Sequence, residues 1–569
     1  MFLPTTKEEL QKLNWTKLDV ILVTGDTYID SPYIGVAIVG KMLLNAGFKV
    51  GIIAQPDINS EVDITRLGEP SLFWGVSGGS VDSMVANYTA VNKKRKSDDF
   101  TPTGINNKRP DRAIIAYSNL IRKYFKNTAP IVLGGIEASL RRISHYDFWS
   151  NSIRKPLIFD AKADILFYGL AENNLIELAN KLKNGEDFRD VRGVCYISKE
   201  KNEEFLDLPS FEECKSDKQK YIDSYNIFYK NNDPLTAKGL NQQIDSRFLI
   251  QNPPAFYNFD KNLDKIYDLE YERDVHPYYK KFGDVKAVET IRFSITTHVG
   301  CYGECNFCAI ALHQGRTIRS RTETSIMNEA KKIISLKDFK GYILDVGGAT
   351  ANMYGFECDK KLKSGVCEEK KCVGISLCKA LKPNHERQIK LLKELRTLNG
   401  VKKVFVNSGI RYDLINEDKT FGDEYLEEIV KHHISGQMKI APEHTDDTVL
   451  ALMNKPSKKV LIEFKTKFDN LNKKFNKKQF LTYYFIAAHP GCSEKEMKNL
   501  KEFATQELKI TPEQTQIFTP TPSTYSTLMY YTKTDPFTKK AIFVESDLNK
   551  KEKQKEILLT KTQQKNFKK

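Results

Sequence analysis

Apolar and polar positions along this chain alternate in a way that predicts strands separated by helices. Between residues 18 and 54, the apolar run LDVILVTG, the helically spaced segment VAIVGKMLLNAGF and the apolar run KVGIIAQ follow one another. The segments FWGVSGGS, APIVLGGIEAS and ADILFYGLAENNLIELANKL continue the pattern. Because strands that alternate with helices form parallel sheets, residues 1–185 are predicted to be a doubly wound α/β domain.

Ligands of such sheets bind beyond the carboxyl ends of the strands, and we expect any ligand of this domain there. Small and polar residues stand at these predicted ends, namely Thr24, Gly25, Asp26, Gly78, Gly79, Gly134 and Gly135. The following stretch, 186–285, is rich in Asn, Asp, Lys and Tyr. It is predicted to connect two domains.

Strand–helix alternation resumes over residues 286–537. Six apolar runs separated by helical stretches are found there: ETIRFSIT, GYILDVGG, KKVFVNSGI, QMKIAPE, FLTYYFIAAHPG and TQIFTPTP. This pattern predicts a partial (β/α)6 barrel, with its chemistry at the carboxyl ends of the strands. The polar and basic tail, 538–569, is predicted to be disordered or weakly helical.

Composition says more about the cellular compartment of the protein than about its function. No run of about 20 apolar residues marks a membrane span, and the N-terminal stretch MFLPTTKEELQKLNW lacks the apolar core of a secretory signal. We therefore expect a cytoplasmic protein, without a membrane partner, whose 10 cysteines are mostly reduced. The net charge of +15 is spread along the chain outside the tail, so it gives only weak support for a nucleic-acid partner.

Three cysteines directly after the first predicted barrel strand carry the strongest chemical signal. Cys301, Cys305 and Cys308 have the spacing C-x3-C-x2-C. Electron-transfer clusters of the [4Fe–4S] type have four cysteine ligands, so three cysteines leave one iron without a protein ligand. A zinc site with His298 or His313 as fourth ligand is the alternative. The short loop after a barrel strand favours the iron–sulfur interpretation.

The loop resembles the signature of the radical S-adenosylmethionine (SAM) superfamily, in which the open iron holds SAM. Phe307 completes the form C-x3-C-x-aromatic-C. The resemblance implies that Gly347 and Gly348 form the turn that receives the SAM amino group, although Ala349 stands where relatives have Glu. These residues are therefore expected to bind cofactor.

Two later segments extend the resemblance. Ser408 and Arg411, in NSGIRYDL, resemble the strand end with which relatives bind the SAM carboxylate and ribose. An arginine suits a carboxylate because its planar fork can pair with both oxygens. A surface ion pair with Asp413 or Glu417 is the alternative for Arg411. Further along the barrel, Pro442-Glu443-His444 and His489-Pro490-Gly491 end two strands, where their histidines are either cavity-lining or structural.

With these segments in order, the chain resembles a YgiQ-type family of the radical SAM superfamily. The matching stretches include DVILVTGDTYIDSPYIGVAIVGK, IVLGGIEASLRRISHYDFWS, THVGCYGECNFCAI, KIAPEHT and FTPTPSTYSTLMYYT, and they cover nearly the whole chain. The resemblance implies reductive cleavage of SAM to a 5′-deoxyadenosyl radical that abstracts hydrogen from a substrate the sequence does not identify. It also implies a low-potential electron donor such as flavodoxin or ferredoxin, and it names no other catalytic residue.

Two alternative functions stay open from the sequence. RNA or protein could be methylthiolated or methylated by the same chemistry, although no added RNA-binding segment stands out. A non-catalytic iron–sulfur electron-transfer protein is the other alternative, but the segments that resemble a SAM pocket argue against it.

The N-terminal domain is similar to the cobalamin-binding module of many radical SAM methyltransferases. The His-on form of that module needs D-x-H-x-x-G, whereas this chain has Asp30-Ser31-Pro32-Tyr33-Ile34-Gly35, with Pro32 at the position of the cobalt-ligating His. Because proline offers no ligand to cobalt, we expect the fold without cobalamin as a cofactor.

A second set of cysteines lies in an insertion near 355–380. Its members are Cys358, Cys367, Cys372 and Cys378. A lysine- and glycine-rich insertion has little apolar content to fold around, so we predict that a structural zinc or an auxiliary iron–sulfur cluster orders it. Free thiols in a loop are the alternative, because the spacing matches no standard zinc motif.

Overall fold

The computed structural model describes residues 1–170, 172–257, 262–368 and 371–559. The chain divides into two units, Met1–Arg292 and Phe293–Lys569, and each unit has an apolar core of its own. Within the described ranges, no helix is long and apolar enough to cross a membrane.

The first unit is built on one nine-stranded sheet. Across the sheet, the strands lie in the order Leu206–Leu208, Leu240–Ile244, Arg247–Gln251, Val194–Ser198, Ile165–Phe167, Ile131–Gly134, Phe73–Ser77, Val20–Thr24, Val50–Ala54. From Ile165–Phe167 to Val50–Ala54 the strands are parallel. Every residue of VILVT and of VGIIA is buried, as expected for strands covered by helices on both faces. The predicted doubly wound domain is confirmed.

Helices cover the sheet and complete the unit. They span Lys7–Lys12, Gly35–Asn45, Ser83–Asn87, Ala113–Tyr124, Gly135–Leu140, Leu157–Asp160, Glu172–Asn184, Phe211–Ser216, Lys218–Lys230, Asn262–Tyr267, Pro277–Lys280 and Ala287–Ile291, with a 3-10 turn at Pro102–Gly104. Two short antiparallel pairs accompany them, Ile29–Asp30 with Asp274–Val275 and His145–Asp147 with Ser152–Arg154.

Residues 186–285, predicted to connect two domains, instead lie in the first unit and supply four strands to its sheet. The polar composition misled the prediction because polar side chains of these strands are buried and bonded. Asn241 donates to the backbone carbonyl of Asn202 at 2.8 Å, and Gln242 donates to that of Pro209 at 3.0 Å. Both side chains are at most 2% exposed.

The second unit is the predicted partial barrel, and its strands follow the predicted order. They lie at Ser294–Thr296, Tyr342–Ile343 continued by Asp345–Gly347, Lys403–Val404, Gln437–Glu443, Phe480–Ala487 and Gln514–Ile517. Neighbouring strands pair in parallel, with a single parallel bridge between Ile410 and Ile440 where the third strand meets the fourth. The fold class predicted from the sequence is therefore confirmed.

Helices alternate with these strands. They span Ile310–Gln314, Glu323–Ile334, Asp359–Ser364, Glu386–Arg396, Tyr412–Glu417, Gly422–Glu428, Asp447–Met453, Lys458–Lys474, Glu494–Phe503, Tyr525–Thr532 and Leu548–Leu558, with π-helical turns at Ile429–His433 and Ala504–Leu508. The short strands His298–Val299 and Arg319–Ser320 pair beside the cysteine loop.

The tail, predicted to be disordered or weakly helical, contains the last of these helices. Leu548–Leu558 is capped by the Asp547 side chain and packs on Glu494–Phe503. Its inward positions are Lys551, Gln554 and Leu558, all at most 1% exposed. Because two of these three buried residues are polar, the pattern of apolar positions does not reveal which face of the helix is buried. Residues 560–569 of the predicted tail lie outside the described residues.

Candidate active site at the cysteine loop

The cysteine loop begins where the first barrel strand ends, and backbone hydrogen bonds fix it at both ends. The N–H of Cys301 donates to the carbonyl of Gly315 at 3.1 Å. The N–H of Cys308 donates to the carbonyl of Cys305 at 2.9 Å, which closes a tight turn before Ile310–Gln314. The loop thus presents three partly buried cysteines from one short segment at the carboxyl end of the barrel.

The thiols lie in surroundings suited to metal-bound sulfur. The N–H of Gly303 donates to Sγ of Cys301 at 3.4 Å, and Oγ1 of Thr350 lies 3.7 Å from the same sulfur. Burial, together with the nearby Cys305 sulfur, raises the pKa of Cys301 and raises that of Cys308 to about 12. Without metal these thiols stay protonated at neutral pH, and a bound metal would replace their protons.

The geometry of the loop bears on whether the three cysteines would bind a zinc ion or a [4Fe–4S] cluster. Among the residues that the structure describes, no group of three or more His, Cys, Asp or Glu could hold a metal ion. A zinc ion needs its ligands to converge on one point, whereas a [4Fe–4S] cluster binds each thiolate through a different iron atom. No zinc site is preformed among the described residues, and the assignment of the three cysteines to a [4Fe–4S] cluster stays a prediction.

Arg411 lies directly beside the cysteine loop. Its Nε and Nη2 atoms donate to the Asp413 carboxylate at 3.0 and 2.6 Å, and its Nη1 lies 3.9 Å from Sγ of Cys305. The ion pair with Asp413 that the sequence left as an alternative is present, but it is buried rather than on the surface. Asn352 holds the backbone of Arg411 from both sides, accepting from its N–H at 2.8 Å and donating to its carbonyl at 3.0 Å.

The Gly-Gly turn and Ser408 meet at the ends of neighbouring strands. A Cβ on Gly347 would lie 3.6 Å from that of Ser408, and a Cβ on Gly348 would lie 2.8 Å from Nε2 of His298. The Ser408 hydroxyl donates to the carboxylate of Asp345, a residue that the sequence analysis did not single out. A side chain at Gly348 would collide with His298 and one at Gly347 would be crowded by Ala351, so a ligand at this turn would meet backbone.

Glu443 brings a carboxylate to the same end of the barrel. It ends the strand Gln437–Glu443 with a left-handed φ of +68°, and it lies 3.9 Å from Nζ of Lys455. Burial raises its pKa, against the opposing charges of Lys455 and Arg411. Strained backbone at a strand end often accompanies function, so Glu443 joins the candidate site.

The sequence did not decide whether His444 and His489 line a cavity or are structural. Both are buried and hydrogen-bonded to other protein groups. His489 bonds through Nδ1 to the carbonyl of Pro490 at 2.8 Å and through Nε2 to Oγ of Ser526 at 2.6 Å. His444 accepts from the N–H of Asp446 at 2.9 Å. Phe307 packs edge-on against His489, with ring centroids 6.3 Å apart. These contacts are structural for both histidines, and they give Phe307 a packing role beside the loop.

The second cysteine set is only partly gathered. Cys358 and Cys372 pack in a small apolar cluster with Tyr302, while Cys367 and Cys378 are partly exposed. The Lys361 ammonium lies 3.8 Å from Sγ of Cys372. Metal binding by this set stays a prediction.

In the first unit, the predicted ligand edge is occupied by buried ion pairs that the sequence did not reveal. Arg109 bridges Asp26 and Asp98, at 2.8 and 3.0 Å, and also donates to the carbonyl of Gly78 at 2.7 Å. Opposing charges compensate the burial of Arg109 and raise its pKa. These groups lie at the point where Val20–Thr24 and Phe73–Ser77 run side by side, which is the switch point of the sheet.

Comparison with known proteins assigns the class. Residues 2–294 match the family model described as Radical SAM N-terminal. A UPF0313 protein of Fusobacterium nucleatum is 59% identical over 98% of this chain and 99% of its own length. A UPF0313 protein of Thermotoga neapolitana is 48% identical over 99% of each chain. The chain belongs to the UPF0313 family, and the resemblance to a YgiQ-type radical SAM family is confirmed.

Among solved structures, the fold is similar to that of OxsB, a cobalamin-dependent SAM radical enzyme with aqua-cobalamin and SAM bound. The TM-score is 0.51 at 14% identity, and the match covers 92% of this chain but 56% of OxsB. The expectation that cobalamin is not a cofactor is contradicted by this likeness, because the same fold holds it in OxsB. In this structure the Arg109 ion pairs occupy the switch point of the sheet.

Proposed function

We propose that this protein is a radical SAM enzyme whose cluster is held by Cys301, Cys305 and Cys308. The observation that carries the proposal is the position of the three cysteines on one loop at the carboxyl end of the barrel, with a buried arginine beside them. When bound, the cluster supplies one electron from a low-potential donor to SAM, which splits into methionine and a 5′-deoxyadenosyl radical that abstracts hydrogen from substrate.

Protein groups around the loop account for the binding of SAM. Nη1 of Arg411 is directed to Sγ of Cys305 in the loop while Asp413 holds the rest of the guanidinium, so the arginine is oriented to meet a carboxylate bound beside the loop. Backbone at Gly347 and Gly348 would receive the amino group, since no side chain at 349 can do so. Glu443, a buried acceptor at the next strand end, suits the hydroxyls of a ribose.

Two aromatic residues of the loop also pack into the protein. Phe307 lies edge-on to His489, and Tyr302 is fully buried. This packing would limit the access of water to a reactive radical.

The experiment is anaerobic reconstitution with iron and sulfide, followed by reduction in the presence of SAM and measurement of 5′-deoxyadenosine. The wild-type protein should form it, and Cys305→Ala should lose both cluster and product. Cys195→Ala is the matched control, because this buried cysteine lies in the first unit. A parallel reaction with added cobalamin is included, since OxsB holds it. An intact cluster with no 5′-deoxyadenosine in either reaction refutes the proposal.

A further inference from the structure

Asn306, between the second and third cysteines of the loop, has every polar group of its backbone and side chain bonded. Its N–H donates to the carbonyl of Met453 at 3.0 Å, and its Nδ2 donates to that of Leu452 at 2.8 Å. Its own carbonyl accepts from the N–H of Ser526 at 2.8 Å, and its Oδ1 accepts from Nζ of Lys371. The side chain is a fixed part of the loop and is only 4% exposed.

Asn454, at the end of the helix Asp447–Met453, in turn donates hydrogen bonds to the cysteine loop. Its Nδ2 donates to the loop carbonyls of Gly303 and Glu304 at 3.2 and 3.1 Å, and to the carbonyl of Val373 at 3.1 Å. It caps Asp447–Met453 with a left-handed φ of +57°, a conformation that asparagine tolerates well. Opposite it, a Cβ on Gly374 would lie 2.1 Å from its Oδ1, so the insertion closes tightly over this amide.

These reciprocal hydrogen bonds supply partners to backbone carbonyl groups of both the helix end and the cysteine loop. The last carbonyls of Asp447–Met453 have no partner within their helix, and Asn306 supplies donors to two of them. In return, the carbonyl oxygens of Gly303 and Glu304 are bonded to Asn454. These two oxygens are therefore engaged by Asn454, while the N–H of Gly303 donates to Sγ of Cys301.

We propose that Asn306 and Asn454 form a clasp that shapes the cysteine loop before the cluster binds and fixes the backbone dipoles around it. The inference rests on the proposed function, but it concerns assembly of the centre rather than cleavage of SAM. Neither asparagine touches iron, SAM or substrate in this role, so both are positioning residues. Hydrogen bonds to the sulfurs and outer-shell partners set the affinity and potential of such clusters.

The test compares Asn454→Asp and Asn454→Gly with the wild-type protein. The aspartate keeps the shape of the side chain but has no donor, and the glycine keeps the left-handed backbone but has no amide. Asn476→Asp and Asn476→Gly are matched controls, because Asn476 also has a left-handed φ, of +49°, and is exposed. Thermal unfolding of the apo proteins shows that each variant is folded.

Three readouts follow anaerobic reconstitution: iron and sulfide per chain, the rate of iron loss to a ferrous chelator, and the EPR spectrum of the reduced cluster. Both Asn454 variants should lose iron about tenfold faster or more, as is usual for changes to outer-shell partners. Their reduced EPR spectra should differ from the wild type, and both controls should match it.

Wild-type iron retention and spectra in both Asn454 variants overturn the clasp while leaving the proposed function intact. A wild-type protein that holds its cluster but forms no 5′-deoxyadenosine refutes the proposed function, and the clasp is still decided by iron loss. A wild-type protein that takes up no cluster overturns both.

Discussion

Nη1 of Arg411 lies 3.9 Å from Sγ of Cys305, while Nε and Nη2 of the same guanidinium donate to Asp413. Burial alone would raise the pKa of Asp413, but the guanidinium outweighs it and the pKa is lowered. The same ion pair raises the pKa of Arg411 against the effect of burial. A permanent positive charge is therefore held beside the cysteine loop, oriented by the protein before any ligand arrives.

Arg411→Lys should weaken SAM binding. A lysine ammonium is a single point charge and cannot both pair with Asp413 along two bonds and face the loop. Losing a charged hydrogen bond to the SAM carboxylate costs about 1.5–3 kcal/mol, or roughly a tenfold or larger loss of affinity. Calorimetric titration of SAM into the protein with its cluster oxidised, so that SAM is not cleaved, measures this affinity.

The control for Arg411 is Arg387→Lys, because the Arg387–Glu323 ion pair has side chains 40% and 33% exposed. Exposed ion pairs contribute little, so SAM affinity should not change. Equal affinities for the wild type and Arg411→Lys would mean that another group binds the SAM carboxylate.

Gly348→Ala should disturb the strand-end turn. The added Cβ would stand 2.8 Å from both Nε2 and the carbonyl oxygen of His298, a side chain that is 1% exposed. Overpacking of this kind costs about 1–3 kcal/mol of unfolding free energy and should also displace the turn from SAM. Chemical denaturation and SAM titration measure the two effects. Gly35→Ala is the matched control, since nothing lies within 4 Å of its added Cβ and it belongs to the first unit; equal losses in both variants would show that the crowding at 348 is not the cause.

The architecture was predictable from the sequence because its strands are local apolar runs. VILVT and VGIIA are buried throughout, and the six barrel runs were found in order. The cysteine motif, the Gly-Gly turn and the segment of Arg411 were also readable, since each is a short motif at a strand end. Their relation in space follows from the barrel, which gathers the carboxyl ends of its strands.

What the sequence concealed is the pairing of buried polar groups over long distances. Arg109 lies between Asp26 and Asp98, and Asn454 reaches Gly303 across some 150 positions of the chain. Such side chains look like surface residues in a local pattern, because burial becomes tolerable only through partners that the pattern does not show. The same cause explains the wrong prediction over 186–285 and the unpredicted packing of the helix Leu548–Leu558, where Gln554 is buried.

Stability should fall as the pH decreases below neutrality, in part because of His489. Burial lowers the pKa of His489 to about 3, so the folded protein keeps this ring neutral while the unfolded chain protonates it near 6.5. The unfolded state then binds more protons between about pH 6.5 and 3, and stability rises with pH across that window. Between pH 6.5 and 5 this one group should account for about 2 kcal/mol.

Denaturation of the apo protein at several pH values measures the slope, and His489→Gln should reduce it. His432→Gln is the control, because that ring is partly exposed and its removal should alter the slope less. An unchanged slope in His489→Gln would mean that the ring is not held neutral in the fold.

Leu558→Ala should destabilise the barrel although it lies in a polar C-terminal segment. Leu558 is 1% exposed and belongs to the core of the second unit, so truncation to alanine should cost about 2–5 kcal/mol. One turn earlier, Gln554 accepts from the N–H of Ala488 at 3.0 Å and donates to the carbonyl of Cys492 at 3.3 Å, which ties the helix to a strand end. Thermal and chemical unfolding of Leu558→Ala and of the exposed control Lys553→Ala measure the difference. If both variants unfold like the wild type, the helix Leu548–Leu558 does not pack on the barrel in solution. The hydrogen bonds of Gln554 to Ala488 and Cys492 would then not form either.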